Sequence, residues 1–460
     1  MEKYFLTFQE IAEATGGKWI KAPDMNAGIN SVKTDSREDC TGALFVALSG
    51  ENFDAHNFLH KAVASGATAL CVEAKKLDKA LENINVITVD NTLEAYQKLA
   101  LFHRKRLTNL KVIAVTGSNG KTSTKEMLRS IFANAFGQDA VWATEGNTNN
   151  QVGVPQNIFH LNENHKIAIL EMGTNHNGEI EPLSRMAEPD VAVISFVGKA
   201  HIENFGTLGA IAREKCAIFS HLKESGFAVI PDENLEQRIL EDEAGKFHVL
   251  RFGLSSKADI RASYLDGNLY GSSFELKFKK SGETKKISWK LSGIHQAVNA
   301  AAAACAATAL DVSAEHVASG LQECVLPGMR MRIMEKNGIT WINDAYNANP
   351  DSMRSALFWL AEFINPSKLI LVLGDMLELG NESKEAHFQI LRTAVDLFPG
   401  VKIVAIGPSM AEASSKSNAE IIAFSNSAEA VDKVRGMAKK GWSVFLKASR
   451  GTKLEIIEPE

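Results

Sequence analysis

Cysteine is sparse and shows no pairing pattern. The five residues, Cys40, Cys71, Cys216, Cys305 and Cys324, are odd in number, widely spread and free of any C-x-x-C. Neither a disulfide framework nor a thiolate zinc site is expected, and they read as buried or inert thiols of a reducing compartment. An excess of charge of one sign is also missing: 50 Lys and Arg against 55 Asp and Glu leave a formal charge of −5. No broad basic field follows, so a nucleic-acid partner is not expected. The most apolar window, residues 300–310, is about half the ~20 residues that a membrane-spanning helix needs. The opening MEKYFLTFQEIAEATGG has no basic start followed by an apolar stretch. Neither membrane insertion nor a signal peptide is expected, and the chain reads as soluble and cytoplasmic. Low-complexity linkers and internal repeats are lacking too.

What is there is ordinary globular composition, 45% hydrophobic and 23% charged over 460 residues. At ~150 residues per domain that length suggests about three domains. Residues 1–88 open with an amphipathic helix pattern, FQEIAEATGG, closed by two glycines. The apolar runs ALFVAL and ATALCVEA around HNFLHKAVASG then read as a small α/β domain. Residues 89–324 alternate strands and helices: KVIAVTG, KIAILEMG, DVAVISFVG and GFAVIP are buried-strand candidates, and KTSTKEMLRSIFANAF is helical. That alternation predicts a mostly parallel sheet. Between about 248 and 292, ADIRASYL, SFELKFKK and KKISWKLSG alternate apolar with polar residues, as half-exposed antiparallel strands do. An alanine-rich helix, HQAVNAAAAACAATALD, follows. Residues 325–460 repeat the strand and helix alternation (ITWINDAY, KLILVLGD, KIVAIGP, WSVFLKAS), which predicts a doubly wound, Rossmann-like domain.

At the junction of KVIAVTG with the next helix stands Thr116-Gly117-Ser118-Asn119-Gly120-Lys121-Thr122-Ser123. Backbone N–H groups of such a turn converge on phosphate oxygens, helped by the helix N-terminus. Lys121 would neutralise the outer phosphates and the Thr122 hydroxyl would bind Mg²⁺. The usual pattern has one more glycine where this chain has Val115, so the loop is a shortened variant. Glu171 ends the apolar run KIAIL, where open α/β sheets place ligands, and its oxygens suit the same hard cation. His201 follows a second such run. His295 and Asn299 lie four apart, on one face of the alanine-rich helix. Lys215 alone reads as a lysine on a solvated helix face.

At the loop the sequence begins to resemble the Mur ligases, ATP-dependent amide-forming enzymes of peptidoglycan precursor synthesis, and the resemblance runs nearly end to end. VTGSNGKTSTKEM is similar to their nucleotide loop, NTNNQVGVP (147–155) to their asparagine-rich stretch, EMGTNHNGEI (171–180) to their metal-binding glutamate segment, and AHIENF (200–205) to their histidine segment. AREKCAI (212–218) holds the position of the family's carbamylated lysine. Four further stretches, TDSR (34–37), ALFVALSGENFDAHNF (43–58), NDAYNANPDSM (343–353) and LGDMLELG (373–380), resemble the branch whose amine substrate is D-alanyl-D-alanine. A D-N-P-R motif, carried by the branch that adds the third amino acid, is lacking.

The resemblance implies two small-molecule substrates, UDP-N-acetylmuramoyl-tripeptide and D-alanyl-D-alanine, joined through an acyl phosphate by a monomer. It implies ATP and two Mg²⁺ ions, held by Thr122, Glu171, His201 and Lys215, the last as a carbamate formed from CO₂. With Lys121 these would be the catalytic groups. For the carbamate, an unprotonated amine is needed, so the site must depress the lysine's pKa. His295 and Asn299 would reach adenine, Asp344 the ribose, and Arg330, at the entrance to the third domain, would be a further nucleotide contact. Arg332 lies two positions on, which leaves the choice of arginine open. The first domain would take the UDP-sugar through Asp35, Ser36, Arg37, Asn52, Phe53, Asp54 and His56, and Asn147 and Asn150 would also bind substrate. Tyr346, Asn347 and Asn349 would meet the dipeptide, and Lys447, Ser449 and Arg450 its carboxylate. Asp351 has a simpler reading, as the cap of a helix beginning near Ser352. Two alternatives stay open: another amine substrate, and a nucleotide-regulated binding protein without catalysis.

Overall fold

In the first segment, Thr7 caps the helix Phe8–Thr15 and Gly16 ends it in the left-handed region, as the closing glycines predict. The computed structural model describes residues 4–50, 53–77, 81, 84–417 and 419–459. Each of the three α/β segments builds its own main sheet. The first is five-stranded, in the order Lys18–Trp19, Asn85–Val89, Ala69–Glu73, Ala43–Val46, Ser31–Lys33. The helix Thr92–Arg106 joins it to the second: Ala95, Tyr96 and Leu99 pack into the first core, whereas Ala100 packs into the next.

The second sheet has nine strands. Its parallel part runs His248–Gly253, Phe227–Pro231, Val191–Ile194, Lys111–Thr116, Ile167–Glu171 and Val141–Ala143. The alternating segments are strands Ile260–Asn268, Gly271–Phe278 and Thr284–Trp289, antiparallel to one another as their pattern predicts. They extend the same sheet, because Ile260 and Arg261 pair in parallel with Phe252 and Gly253. The alanine-rich helix Ile294–Thr308 is buried over Ala300–Ala307, where side chains this small let it lie close on the sheet and on the helix Lys121–Phe136.

The third sheet is six-stranded, in the order Arg332–Lys336, Ile339–Asn343, Ser443–Lys447, Leu369–Gly374, Lys402–Ile406, Ile421–Phe424. All but the antiparallel Arg332–Lys336 pair in parallel. The second and third units share one apolar cluster, in which Val197 and Ile202 belong with Met353, Leu357 and Leu379. Among the described residues, no helix is long and apolar enough to cross a membrane.

Candidate active site

Three neighbouring strands deliver the central unit's chemistry to one sheet edge. Glu171 stands opposite Val115 and Ile194 opposite Thr116. The phosphate loop, the Glu171 carboxylate and the segment leading to His201 therefore leave the sheet side by side. The strand Lys111–Thr116 has its neighbours on both sides connected later in the chain, the crevice where open α/β sheets bind ligands.

The loop is tightly held. Gly117 has φ +153°, and a Cβ there would stand 2.2 Å from Ser195 Oγ; Gly120 has φ +81°, and a Cβ there would stand 2.5 Å from Asn299 Oδ1. Thr116 Oγ1 donates to Met172 O at 2.8 Å, Ser118 Oγ to Gly198 O at 2.9 Å, and Ser195 Oγ to Asn119 O at 2.6 Å. The backbone N–H groups from Asn119 to Ser123, by contrast, have no acceptor among the described residues. Ser123 is buried beneath them at the start of the helix Lys121–Phe136. A row of free amides at a helix N-terminus is a cradle for anionic oxygen. Lys121 Nζ donates to Gly117 O at 2.7 Å. Desolvation lowers its pKa, Glu171 opposes that, and Arg330 adds to it.

Glu171 is 2% exposed. Its Oε1 accepts from Asn149 Nδ2 at 2.9 Å, and its Oε2 is buried with no hydrogen-bond partner. Such an orphaned carboxylate oxygen is costly unless a cation or donor completes it. The Glu171 carboxylate and the Thr122 hydroxyl of the loop are hard oxygen donors, a kind that fits Mg²⁺. Lys215, in the helix Leu208–Cys216, is also 2% exposed, and its amine has no hydrogen bond or ion pair among the described residues. Desolvation, helped by the Lys121 cation, pushes its pKa well below the usual lysine range, against Glu214 and Glu179. The solvated-face reading of Lys215 is therefore wrong: its helix turns it inward. Glu214 anchors that helix, accepting from the N–H groups of Gly178, Glu179 and Ile180 at 2.7, 3.0 and 2.8 Å. His201 sits in the left-handed region at φ +56°. Its Nδ1 is hydrogen-bonded to the Glu378 carboxylate.

The third unit faces this edge with its own strand ends. Arg330 Nη2 donates to Thr122 Oγ1 at 3.1 Å while its guanidinium lies 3.8 Å over the Tyr346 ring. Arg332 instead pairs with Glu458, so of the two arginines only Arg330 reaches the loop. Asp344 follows the strand Ile339–Asn343 and is bound by the Lys447 ammonium. Burial pushes the pKa of His295 down to about 4, against Asp344 and helped by Lys447. His295, Asp344 and Lys447 thus form one group, and Asn299 lies against Gly120. Lys447 is engaged by Asp344 and by the Asn347 carbonyl at 3.3 Å, not left free for a carboxylate. Ser449 Oγ is engaged as well, accepting from Leu377 N at 3.0 Å and donating to Ala348 O at 3.2 Å. Arg450 is exposed and pairs with Glu455 at 3.5 Å.

Asn349, not Asp351, caps the helix, which begins at Pro350 and not near Ser352: its side chain accepts from Ser352 N at 2.9 Å. Its Nδ2 donates to Asn119 Oδ1 at 2.8 Å, directly across to the phosphate loop. Asp351 accepts from Lys199 N at 3.1 Å and from Arg354 at 2.9 Å.

In the first unit, Arg37 is 79% exposed at its side chain and forks onto Asp35, whose pKa that contact pulls down to about 2. Ser36 beside it is buried. Asp54 joins His56 at 2.7 Å and Lys76 at 2.7 Å; burial would raise its pKa, but these hydrogen bonds outweigh that and hold it low. Phe53 is exposed and stacks on Phe58 with centroids 5.2 Å apart. Asn52 lies outside the described residues. Asn147 Oδ1 accepts from Asn149 at 3.2 Å, and Asn150 Oδ1 accepts from the N–H groups of Val152 and Gly153 at 3.1 and 2.9 Å.

Asn149, Thr144, Glu214 and Glu378 escaped the sequence reading. Thr144 Oγ1 accepts from Glu171 N at 3.0 Å. Nothing in the local pattern marks Thr144, whereas Asn149 and Glu378 stood inside quoted motifs and lacked only an assigned partner.

Comparison with known proteins matches this chain over nearly its whole length. Residues 115–307 match the Mur ligase middle domain and residues 329–450 the Mur ligase glutamate ligase domain. The chain is 34% identical to the UDP-N-acetylmuramoyl-tripeptide–D-alanyl-D-alanine ligase of Bacillus subtilis, covering 98% of this chain and 97% of that one. It superposes on a crystal structure of MurF from Acinetobacter baumannii with a TM-score of 0.90 at 33% identity, covering 98% and 97%. For MurF of Thermotoga maritima in complex with ADP the TM-score is 0.82 at 28% identity, covering 93% and 96%. With its loop, its carboxylate and its buried lysine converging as described, and with relatives matched end to end, this chain belongs to the Mur ligase family.

Proposed function

We infer that this chain is an ATP-dependent ligase that adds D-alanyl-D-alanine to UDP-N-acetylmuramoyl-tripeptide. Joining a carboxylate to an amine in water is uphill, so the carboxylate must first gain a leaving group. Its oxygen attacks the γ-phosphorus of ATP, the bond to ADP breaks, and an acyl phosphate forms. The dipeptide amine then attacks the acyl carbon, phosphate departs, and the amine loses a proton. The first step brings two anions together, so positioning and positive charge supply most of the rate.

The observation that carries the reading is the meeting of three features at one sheet edge: a row of unpartnered loop amides, the orphaned Glu171 oxygen, and Arg330 reaching across from the third unit. The loop amides from Asn119 to Ser123 hold the phosphates, and Lys121 spreads the γ-phosphate charge. His295 and Asn299 border the adenine side, and Asp344, fixed by Lys447, takes the ribose. Thr122, Glu171, His201 and a carbamate of Lys215 would hold two Mg²⁺ ions. Bound there, Mg²⁺ supplies Lewis-acid stabilisation of phosphoryl charge. Lys215 is suited to react with CO₂ because burial pushes its pKa down and so favours the neutral amine. Asp35, Ser36, Arg37, Asn52, Phe53, Asp54 and His56 serve the UDP-sugar, with Asn147 and Asn150 beside it. Tyr346, Asn347 and Arg450 serve the dipeptide. All groups come from one chain, so a monomer suffices. ATP and a UDP-linked sugar are reactants of the cytoplasm, where we place the reaction.

Phosphate release measured with each substrate omitted in turn tests this. The reading expects release only with ATP, UDP-sugar tripeptide and D-alanyl-D-alanine together. Release without the dipeptide, or greater release with another amine, contradicts it.

A further inference from the structure

We propose that Glu378 is a positioning residue that orients His201 for its metal, and that it ties completion of the metal site to the seating of the third unit. The proposal rests on the reading of His201 as a metal ligand.

The two residues come from different sheets and lie 177 positions apart. Both sit in the left-handed region, His201 at φ +56° and Glu378 at φ +62°. For non-glycine residues that conformation persists where surrounding contacts enforce it, and it concentrates at functional sites. The loop bearing Glu378 is fixed from behind. Asp375 accepts from Met410 N at 2.7 Å, Met376 N donates to the buried His387 Nε2 at 2.9 Å, and Leu377 N donates to Ser449 Oγ at 3.0 Å. It is also docked in front: Glu203 N donates to Glu378 O at 3.3 Å, and Lys199 pairs with Glu382 at 2.8 Å. A rigid support thus presents one carboxylate to one imidazole.

That contact decides which ring nitrogen is free. An ionised carboxylate only accepts, so Nδ1 is the nitrogen that this contact engages, and Nε2 is the one it leaves over. Nε2 has no partner among the described residues. A histidine that donates one N–H to a carboxylate and offers the other nitrogen is the arrangement that fixes tautomer and ring orientation at metal sites. Because the carboxylate belongs to the third unit, His201 is oriented only when that unit is seated.

The test titrates Mn²⁺ into the full chain with ADP and inorganic phosphate present and reads free Mn²⁺ by electron paramagnetic resonance. Glu378→Ala should weaken the site about 10- to 100-fold and raise the Mg²⁺ needed for half-maximal velocity by the same factor. Glu378→Gln, whose carbonyl accepts from the same Nδ1–H, should stay within about threefold of the unaltered chain. Glu382→Ala, which removes one exposed ion pair of the docked loop and leaves the Glu378 contact in place, should change Mn²⁺ affinity by no more than about twofold. Unaltered affinity in Glu378→Ala overturns the proposal. So does a Glu378→Gln variant as weak as Glu378→Ala, or an equal loss in Glu382→Ala. His201→Ala separates the two claims: unchanged Mn²⁺ binding there removes the reading of His201 as a ligand. Weakening there without weakening in Glu378→Ala removes only the positioning role.

Discussion

Burial of a lysine amine disfavours its charged form, and Lys215 shows this most clearly: desolvation pushes its pKa well below the usual lysine range, against Glu214 and Glu179. A lowered pKa is what the proposed reaction with CO₂ needs. Lys215→Ala should therefore lose turnover by several orders of magnitude and recover part of it with acetate or another small carboxylate. Steady-state rates across an acetate series check this, and a fully active variant without rescue would remove the carbamate. His295 makes a second residue-level claim, about pH. Its pKa is about 4 in the folded chain against the ordinary 6.5. The neutral ring is favoured in the fold, so its contribution is complete above pH 6.5. It is lost as pH falls toward 4, at most about 3 kcal/mol from a shift of this size. Thermal melting from pH 7 to 4 should show a shallower acid limb in His295→Gln than in the unaltered chain; parallel curves would contradict the burial argument.

At the scale of elements, the phosphate loop depends on missing side chains. Gly117→Ala should cost about 1–3 kcal/mol, because the new methyl overlaps Ser195 and Phe196. It should also weaken ADP binding, and calorimetry with chemical denaturation checks both. A neutral substitution would mean that the loop is less constrained than its contacts imply. The loop and its strand and helix were legible in the sequence, since β-branched residues, glycines and a long amphipathic run agree locally. So were the antiparallel strands after residue 258, from their alternation. What was not legible is which sheet they would join, because the parallel pairing of Ile260 with Phe252 leaves no local pattern. The short helix Pro408–Ser414 and the half-exposed edge strand Ile421–Phe424 carry too few periodic residues to stand out. Lys215 was legible only through family likeness. Its own helix reads as amphipathic in either direction, and burial is decided by what packs on it. Asn349 shows the converse: its asparagine-rich motif drew attention, while the cap and the bond to Asn119 depend on two units meeting.

For the whole molecule, the proposed substrates fall to different units. The third unit touches the central one through Asn349 to Asn119, Arg330 to Thr122, and Glu378 to His201. On the proposed reading a nucleotide in the loop would lie between the two units, an arrangement that would keep water from an acyl phosphate. The first unit stands apart in chemistry, with Arg37 exposed beside Asp35. Arg37→Ala should raise the KM for the UDP-sugar about tenfold or more, as loss of a charge-assisted contact does, and leave the KM for D-alanyl-D-alanine unchanged. An unaltered nucleotide-sugar KM would break that assignment. Beneath all of this lies activation of the peptide's carboxylate by phosphorylation. Tripeptide substrate labelled with ¹⁸O in that carboxylate, turned over with ATP and D-alanyl-D-alanine, tests it most directly by mass spectrometry of the released phosphate. The account predicts one labelled oxygen in each phosphate formed; phosphate free of label would contradict it.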